Sequence, residues 1–241
     1  MECFIVEPTD VFGDQLILQA DEAHHAARSL RMKVGETILA TDLQGNCYRA
    51  TIESITEISK GEYSVECKID QQLPDFHEPP IKLRLIQGIL NQPSKFEEIA
   101  ERCTELGIIS LVPIISERVE RVNLKTERLE KILCSACKQA HRARKPKLSD
   151  AVSFEESLKQ AADEGNEIIL LHEGASVNNS LRRALDETKG RQIALVIGPE
   201  GGFSEAEVSL ARSNYQAMIA SLGSRRLRAE TAAIAAVAIA V

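Results

Sequence analysis

Beyond residue 80 the chain alternates short apolar runs with helical patterns, and this alternation restricts the fold more than any other feature. Ile81–Ile89 is a near-continuous apolar stretch, interrupted by Lys82, Arg84 and Gln87. A helix predicted over about 94–106 stops at Gly107, a residue free to take the left-handed conformation that closes a helix. Ile108–Ile115 is the next strand and 125–140 the next helix. Glu167–Leu171 and Gln192–Ile197 are further strands, the second followed by a helix over 204–211. Strands apolar along their whole length are buried on both faces. The pattern therefore predicts an α/β domain, a parallel sheet with helices on both sides.

The first third reads differently. Gln15–Leu18, Thr37–Thr41 and Tyr48–Ile52 are β-rich, and Gly35-Glu36 and Gln44-Gly45-Asn46 supply turns. Asp21–Leu30 reads as one short helix whose acidic start suits the helix dipole. Short strands and a single helix suggest a small β-barrel. Pro74, Pro79 and Pro80 bracket a linker, because proline removes backbone donors. The expected organisation is a barrel module over 1–73, a linker over 74–80 and an α/β domain over 81–241.

Charge follows the same division. The net charge of −7 argues against a general nucleic-acid coat protein, but it is unevenly placed. Residues 1–75 hold 6 Lys/Arg against 14 Asp/Glu, whereas 76–241 hold 23 against 22. The second part stays open to polyanionic partners. A composition of 44% hydrophobic and 27% charged residues excludes a disordered or fibrous chain. No secretory signal opens the sequence, and its longest apolar run, 232–241, is about half of a membrane span. Six scattered cysteines fit a reducing cytoplasm. Cys134 and Cys137 form a solitary C-x-x-C on a predicted helix, with no second pair at zinc spacing, so the pair reads as structural and no metal is expected.

Ligands of parallel sheets collect at the carboxyl ends of the strands. Three segments compete for that place: 168–174, ending Leu171-His172-Glu173-Gly174; 195–204, carrying Gly198-Pro199-Glu200-Gly201-Gly202-Phe203-Ser204; and the basic turn 221–232. The glycine loop matches neither dinucleotide nor phosphate-loop spacing, holds no lysine, and places Glu200 where a phosphate would be repelled. A carboxylate beside closely approachable backbone suits a neutral or cationic ligand, and the sulfonium of S-adenosylmethionine fits that description. Ser204 and Glu207 are spaced as a capping box and so have mainly structural work.

Gly198-Pro199-Glu200-Gly201-Gly202-Phe203-Ser204 followed by Leu222-Gly223-x-Arg225-x-Leu227-Arg228-x-Glu230-Thr231-Ala232 resembles the bacterial methyltransferases that modify N3 of a uridine in 16S ribosomal RNA, members of the SPOUT superfamily. Thr104-Glu105-Leu106-Gly107, Ser116-Glu117-Arg118, Lys138-Gln139 with Arg142, Arg144 and Pro146, and an amino-terminal set of His24-His25, Arg28, Leu30-Arg31 and Lys33-Val34-Gly35 extend the resemblance over nearly the whole chain. It implies a PUA-like β-barrel and a SPOUT-type domain whose carboxyl-terminal chain forms a trefoil knot, which periodicity would never reveal. It also implies S-adenosylmethionine as methyl donor, 16S rRNA of the small ribosomal subunit as substrate, and a cytoplasmic homodimer with its site near the subunit interface. The sequence departs from the family at His141, where glycine is usual, at Arg226, where an apolar residue is usual, and in the absence of glycine from 91–95.

Under that resemblance, Arg228 and Glu230 are the candidate catalytic residues: uracil N3 must lose a proton, and a cation or a base nearby assists. The cofactor is expected on backbone from Leu171, His172, Gly198, Glu200, Gly201, Leu222, Gly223 and Leu227. RNA contacts are expected from the basic stretch 138–147, chiefly Lys138, Arg142 and Arg144, from Arg225, and from Arg28, Arg31 and Lys33 in the barrel module. Few aromatics and no Trp argue against extensive base stacking. The tail 231–241, apolar on all sides, is expected to be a buried helix, in the core or at a dimer interface. The alternatives are a SPOUT ribose 2′-O-methyltransferase and a non-catalytic RNA-binding assembly factor.

Overall fold

A computed structural model describes residues 1–119, 123–176 and 178–241. Its contacts divide the chain into two compact units, Met1–Glu78 with Cys134–Lys145, and Pro79–Leu133 with Pro146–Val241. The strands of residues 1–78 are β1 (Cys3–Ile5), β2 (Val11–Phe12), β3 (Gln15–Leu18), β4 (Thr37–Thr41), β5 (Asn46–Ser59) and β6 (Glu62–Pro74), with helix α1 (Ala20–His24) between β3 and β4. Next come β7 (Lys82–Gly88), α2 (Pro93–Leu106), β8 (Ser110–Ile115), α3 (Thr126–Gln139), β9 (Lys147–Leu148), β10 (Val152–Ser153) and α4 (Phe154–Asp163). The chain closes with β11 (Glu167–Leu171), α5 (Leu181–Glu187), β12 (Gln192–Ile197), α6 (Glu205–Tyr215), β13 (Met218–Ala220) and α7 (Ala229–Ala240).

In the first unit six strands are ordered β1-β4-β5-β6-β3-β2. The long β5–β6 hairpin dominates it, and three register shifts along the pair bend and twist the strands. On β6, Tyr63, Val65 and Cys67 are buried while Glu62, Glu66 and Lys68 are exposed, the period-2 signature of a sheet wet on one face. The single helix expected over 21–30 is instead α1 followed by a π-helical turn, His25–Ser29.

The segment Cys134–Lys145 is stitched to this sheet by its backbone. Gly45 N–H donates to Ala143 O at 2.9 Å, and Lys145 N–H donates to Leu43 O at 3.0 Å. Helix α3 ends just before, with Arg142 N–H donating to Cys137 O at 2.9 Å and His141 at φ 55°. That is a Schellman close, a position that suits glycine because the left-handed conformation costs any residue with a Cβ. Burial pushes the Cys137 thiol up to about 12, in keeping with a structural C-x-x-C.

Among its described residues the second unit holds seven strands, ordered β10-β8-β7-β12-β11-β13 with β9 on β8, and every pairing among them is parallel. Alternate residues of each strand serve opposite faces. Leu83, Leu85, Ile169, Leu171, Leu195 and Ile197 join the core under α2, α5 and α7. Ile86, Val112, Ile168, Leu170 and Val196 join the core under α4 and α6. Strands buried on both sides, with helices over each face, are what the apolar runs predict. The tail helix buries one stripe in the core of this unit. Ala229, Ala233, Ala236, Val237 and Ala240 are buried along one stripe of α7, while Thr231, Ala238 and Ile239 face outward. Among the described residues no helix is long and apolar enough to cross a membrane.

Candidate active site

The strand order places the carboxyl ends of β7, β12, β11 and β13 side by side. A cavity of about 740 Å³ opens there, within the size range of small-molecule sites. The three segments singled out in the sequence converge on it: Leu171, His172 and Glu173 beyond β11, Ile197–Glu200 with Gly202 and Phe203 beyond β12, and 221–223 with 225–230 beyond β13. Leu171, Ile197, Phe203, Leu222 and Leu227 give it apolar walls. Gly202 and Gly223, at φ 68° and 108°, turn the chain sharply, and a Cβ on either would meet nothing within 4 Å. The backbone is thus open to close approach by a ligand at two points.

Of the expected cofactor positions, Leu171, His172, Gly198, Glu200, Leu222, Gly223 and Leu227 line the cavity. Gly201 is not among these lining residues. It packs against Arg118, whose Nη1 donates to the Gly201 carbonyl at 2.7 Å, and a Cβ on Gly201 would lie 3.2 Å from Arg118 Cβ. The Glu200 carboxylate accepts the Asn91 N–H at 3.1 and 3.3 Å, so its charge ties the loop after β7 to the glycine loop. His172 is half-buried, and its Nδ1 accepts the Gly174 N–H at 3.2 Å, which fixes the ring against its own turn.

The glycine loop is held from three further directions. Gln87 is fully buried, and its Nε2 donates to the carbonyls of Gly88 at 3.0 Å and Gly198 at 3.3 Å. Gly88 leaves no space for a side chain: a Cβ there would come within 2.6 Å of Pro199 Cδ and 2.8 Å of the Gly198 carbonyl carbon. Both halves of the capping box form, and Glu207 Oε1 also accepts the Glu117 N–H at 2.9 Å. The segment 116–118 therefore braces the loop at Gly201 and at its carboxyl end. Sequence reasoning placed Ser116-Glu117-Arg118 only by resemblance and missed Gln87 and Gly88.

At the start of α7, Arg228 is exposed at the N-cap position and lines the cavity. Glu230, two residues on, has a side chain only 12% exposed, and its Oε1 lies 3.4 Å from Lys95 Nζ of α2. Its Oε2 is buried and accepts no hydrogen bond among the described residues. Lys95 and Gln92 also line the cavity; the sequence marked 91–95 only as a departure from the family, with no cofactor-site or catalytic role. Arg225 and Arg226 are exposed on the rim, Arg226 3.4 Å from Glu173.

The cations expected to face RNA divide into two groups. Arg142 is 1% exposed and its Nη2 lies 2.6 Å from Glu78 Oε2, so it is an internal ion pair and cannot reach a phosphate; the RNA contact expected of it is withdrawn. Lys138 pairs with Glu22 at 2.7 Å, its ammonium 5.3 Å from the centre of the Phe4 ring. Arg144 pairs with Asp75 at 2.6 Å, packs over Gly45, and stays half exposed. Acids from the first 78 residues therefore neutralise much of the basic stretch. Arg28, with its guanidinium 5.8 Å from the centre of the Tyr63 ring, Arg31 and Lys33 are exposed. No cluster of three metal-ligating side chains occurs among the described residues.

With this geometry established, known proteins place the chain. Residues 77–241 match the RNA methyltransferase domain family, and 18–60 match the RNA methyltransferase PUA domain. Ribosomal RNA small subunit methyltransferase E of Rickettsia conorii is 30% identical over 216 residues, covering 89% of this chain and 84% of the relative. Its Bacillus subtilis counterpart is 28% identical, covering 89% and 85%. The crystal structure of the Neisseria gonorrhoeae enzyme of that name, bound to S-adenosylmethionine, superposes with a TM-score of 0.80 at 26% identity over 99% of this chain and 95% of that one.

Proposed function

From the premise that the chain belongs to the ribosomal RNA small subunit methyltransferase E family, we propose that it transfers a methyl group from S-adenosylmethionine to N3 of a uridine in 16S rRNA. The observation that carries this reading is the convergence of the glycine loop and the 221–230 turn on one cavity, with Arg228 and Glu230 at its wall. The residues present fit the cofactor. Apolar walls and two open glycines suit an adenosine and a methionine chain, and the volume suffices. Leu171, Gly198, Leu222, Gly223 and Leu227 would hold it. Bound there, S-adenosylmethionine supplies an electrophilic methyl group on a sulfonium.

The protein's own work lies on the acceptor side. Uracil N3 carries a proton and is a poor nucleophile until that proton leaves. Glu230 accepts it, and Arg228, exposed at the same wall, stabilises the developing anion through a carbonyl oxygen. Much of the remaining rate comes from holding acceptor and donor in line, a task for the braced glycine loop. Arg28, Arg31, Lys33 and Arg225 contact RNA phosphates, as do the half-exposed Arg144 and Lys138. The carboxyl-terminal chain is a trefoil knot, in support of which α7 packs beside α2 after the chain has crossed to β13 at the far edge. The active form is a cytoplasmic homodimer; exposed Ile239 and Val241 give α7 an apolar side suited to a second copy.

The test is transfer of labelled methyl from S-adenosylmethionine to 16S rRNA, free or in small subunits, lacking this modification. Digestion to nucleosides should yield 3-methyluridine. A 2′-O-methylated nucleoside would support the ribose relative, and binding without transfer would support the assembly factor.

A further inference from the structure

Glu230 sits in an unusual state for a carboxylate. One oxygen lies 3.4 Å from an ammonium, and the other is buried with no donor among the described residues. A buried acceptor left unmet costs stability, as does a buried charge without a partner. The nearest compensation is Lys95, which comes from α2, a different element from the turn carrying Arg225, Arg226 and Arg228. Lys95 is itself half-buried and lines the same cavity. At 3.4 Å the pair is an electrostatic tether rather than a tight hydrogen bond, so the carboxylate keeps the freedom to turn an oxygen toward an incoming donor. Lys95 also stands on the first turn of α2, whose remaining length is anchored by Phe96, Ile99, Ala100 and Cys103 in the core. The ammonium is thus carried on a rigid support.

We propose that Lys95 is a positioning residue for methyl transfer: it balances the charge of Glu230 and holds the carboxylate where an imide N–H of the acceptor base meets its free oxygen. This rests on the methyl-transfer reading above. The step balances as written. The N3 proton passes to Glu230, the N3 electron pair forms the new bond to the methyl carbon, and the carbon–sulfur bond breaks with its electrons remaining on sulfur. The proton on Glu230 then returns to solvent. Lys95 neither gives nor takes a proton.

A Lys95 that bound RNA phosphate would behave differently, and the experiment separates the two. Lys95→Met keeps the aliphatic stem and removes the charge. Its single-turnover rate at saturating RNA and cofactor should fall about 10- to 100-fold, with KM for RNA within about threefold of wild type. Lys95→Arg should recover most of the rate. The double variant Lys95→Met/Glu230→Gln should be no slower than Glu230→Gln alone, because a residue acting through another is silent once the other is gone. RNA affinity without cofactor, and its salt slope, should be unchanged in Lys95→Met. A weakened affinity with a slope reduced by about 1 would make Lys95 a phosphate contact and overturn the proposal. So would losses in Lys95→Met and Glu230→Gln that simply add. If the wild-type protein itself transfers no methyl group, the underlying reading fails and takes this inference with it. An active wild type with an unimpaired Lys95→Met overturns this inference alone.

Discussion

Gly88→Ala tests how the cavity is built. The backbone at Gly88 lies outside the left-handed region, so alanine is locally permitted. With space available, the substitution would stabilise by about 0.4–1 kcal/mol through the unfolded chain. Space is what is missing. The new Cβ would fall 2.6 Å from Pro199 Cδ and 2.8 Å from the Gly198 carbonyl carbon, and neither is a side-chain end able to swing away. The end of β7 or the glycine loop must move, and overpacking of this kind costs about 1–3 kcal/mol. The net expectation is a loss of about 1–2 kcal/mol, or a fall in Tm of roughly 2–8 °C for a domain of this size. Because the atoms displaced belong to Gly198 and Pro199 at the cavity wall, calorimetry should also show S-adenosylmethionine binding weakened about tenfold. For stability alone, Gly202→Ala is the control: open space but φ 68°, so only the left-handed penalty of about 1 kcal/mol applies. A Gly88→Ala protein with unchanged or raised Tm and unchanged cofactor affinity would refute the packing argument.

Other expectations follow from the same geometry. His141→Gly should stabilise the protein by about 0.5–1 kcal/mol in chemical denaturation, because it relieves a left-handed residue at the close of α3. Burial first, and then neighbouring His77, hold the His141 imidazole below its ordinary 6.5. Its contribution is therefore present above 6.5 and lost as pH falls through the lower folded value, and wild type should lose more stability than His141→Gly on acidification. Arg142→Met leaves Glu78 buried without its cation and should destabilise by about 3–5 kcal/mol in thermal or urea melts. Arg228→Ala should lower the methyl-transfer rate by about 100-fold while calorimetric cofactor affinity stays near wild type; an undiminished rate would remove Arg228 from the mechanism.

Much of this molecule was legible before any coordinates. The apolar runs gave β7, β11 and β12 within a residue or two, and Ser204 and Glu207 announced a cap that forms in full. Their place at the ends of apolar strands marked 168–174, 195–204 and 221–232 as the candidate ligand segments, and all three line the cavity. What escaped had physical causes. Strand β13 is three residues long, too short for any period to show. Strand β6 was overlooked although Tyr63, Val65 and Cys67 alternate with polar residues, a signal that was available. Gly88, Gln87 and Lys95 matter because of what lies across the fold from them, at Pro199, Gly198 and Glu230, and no local pattern encodes a partner more than 100 residues away. The basic stretch at 138–147 misled for the same reason: its cations meet Glu22 and Asp75, from the acidic first part of the chain, and Glu78.

The central claim is that this chain methylates one uridine of 16S rRNA at N3. The most direct measurement is mass spectrometry of 16S rRNA from cells with and without the gene, at single-nucleotide resolution. The account predicts that one uridine loses a base methyl, and that wild type restores it while Glu230→Gln does not. An identical methylation pattern in both strains, or loss of a ribose methyl in its place, would contradict it.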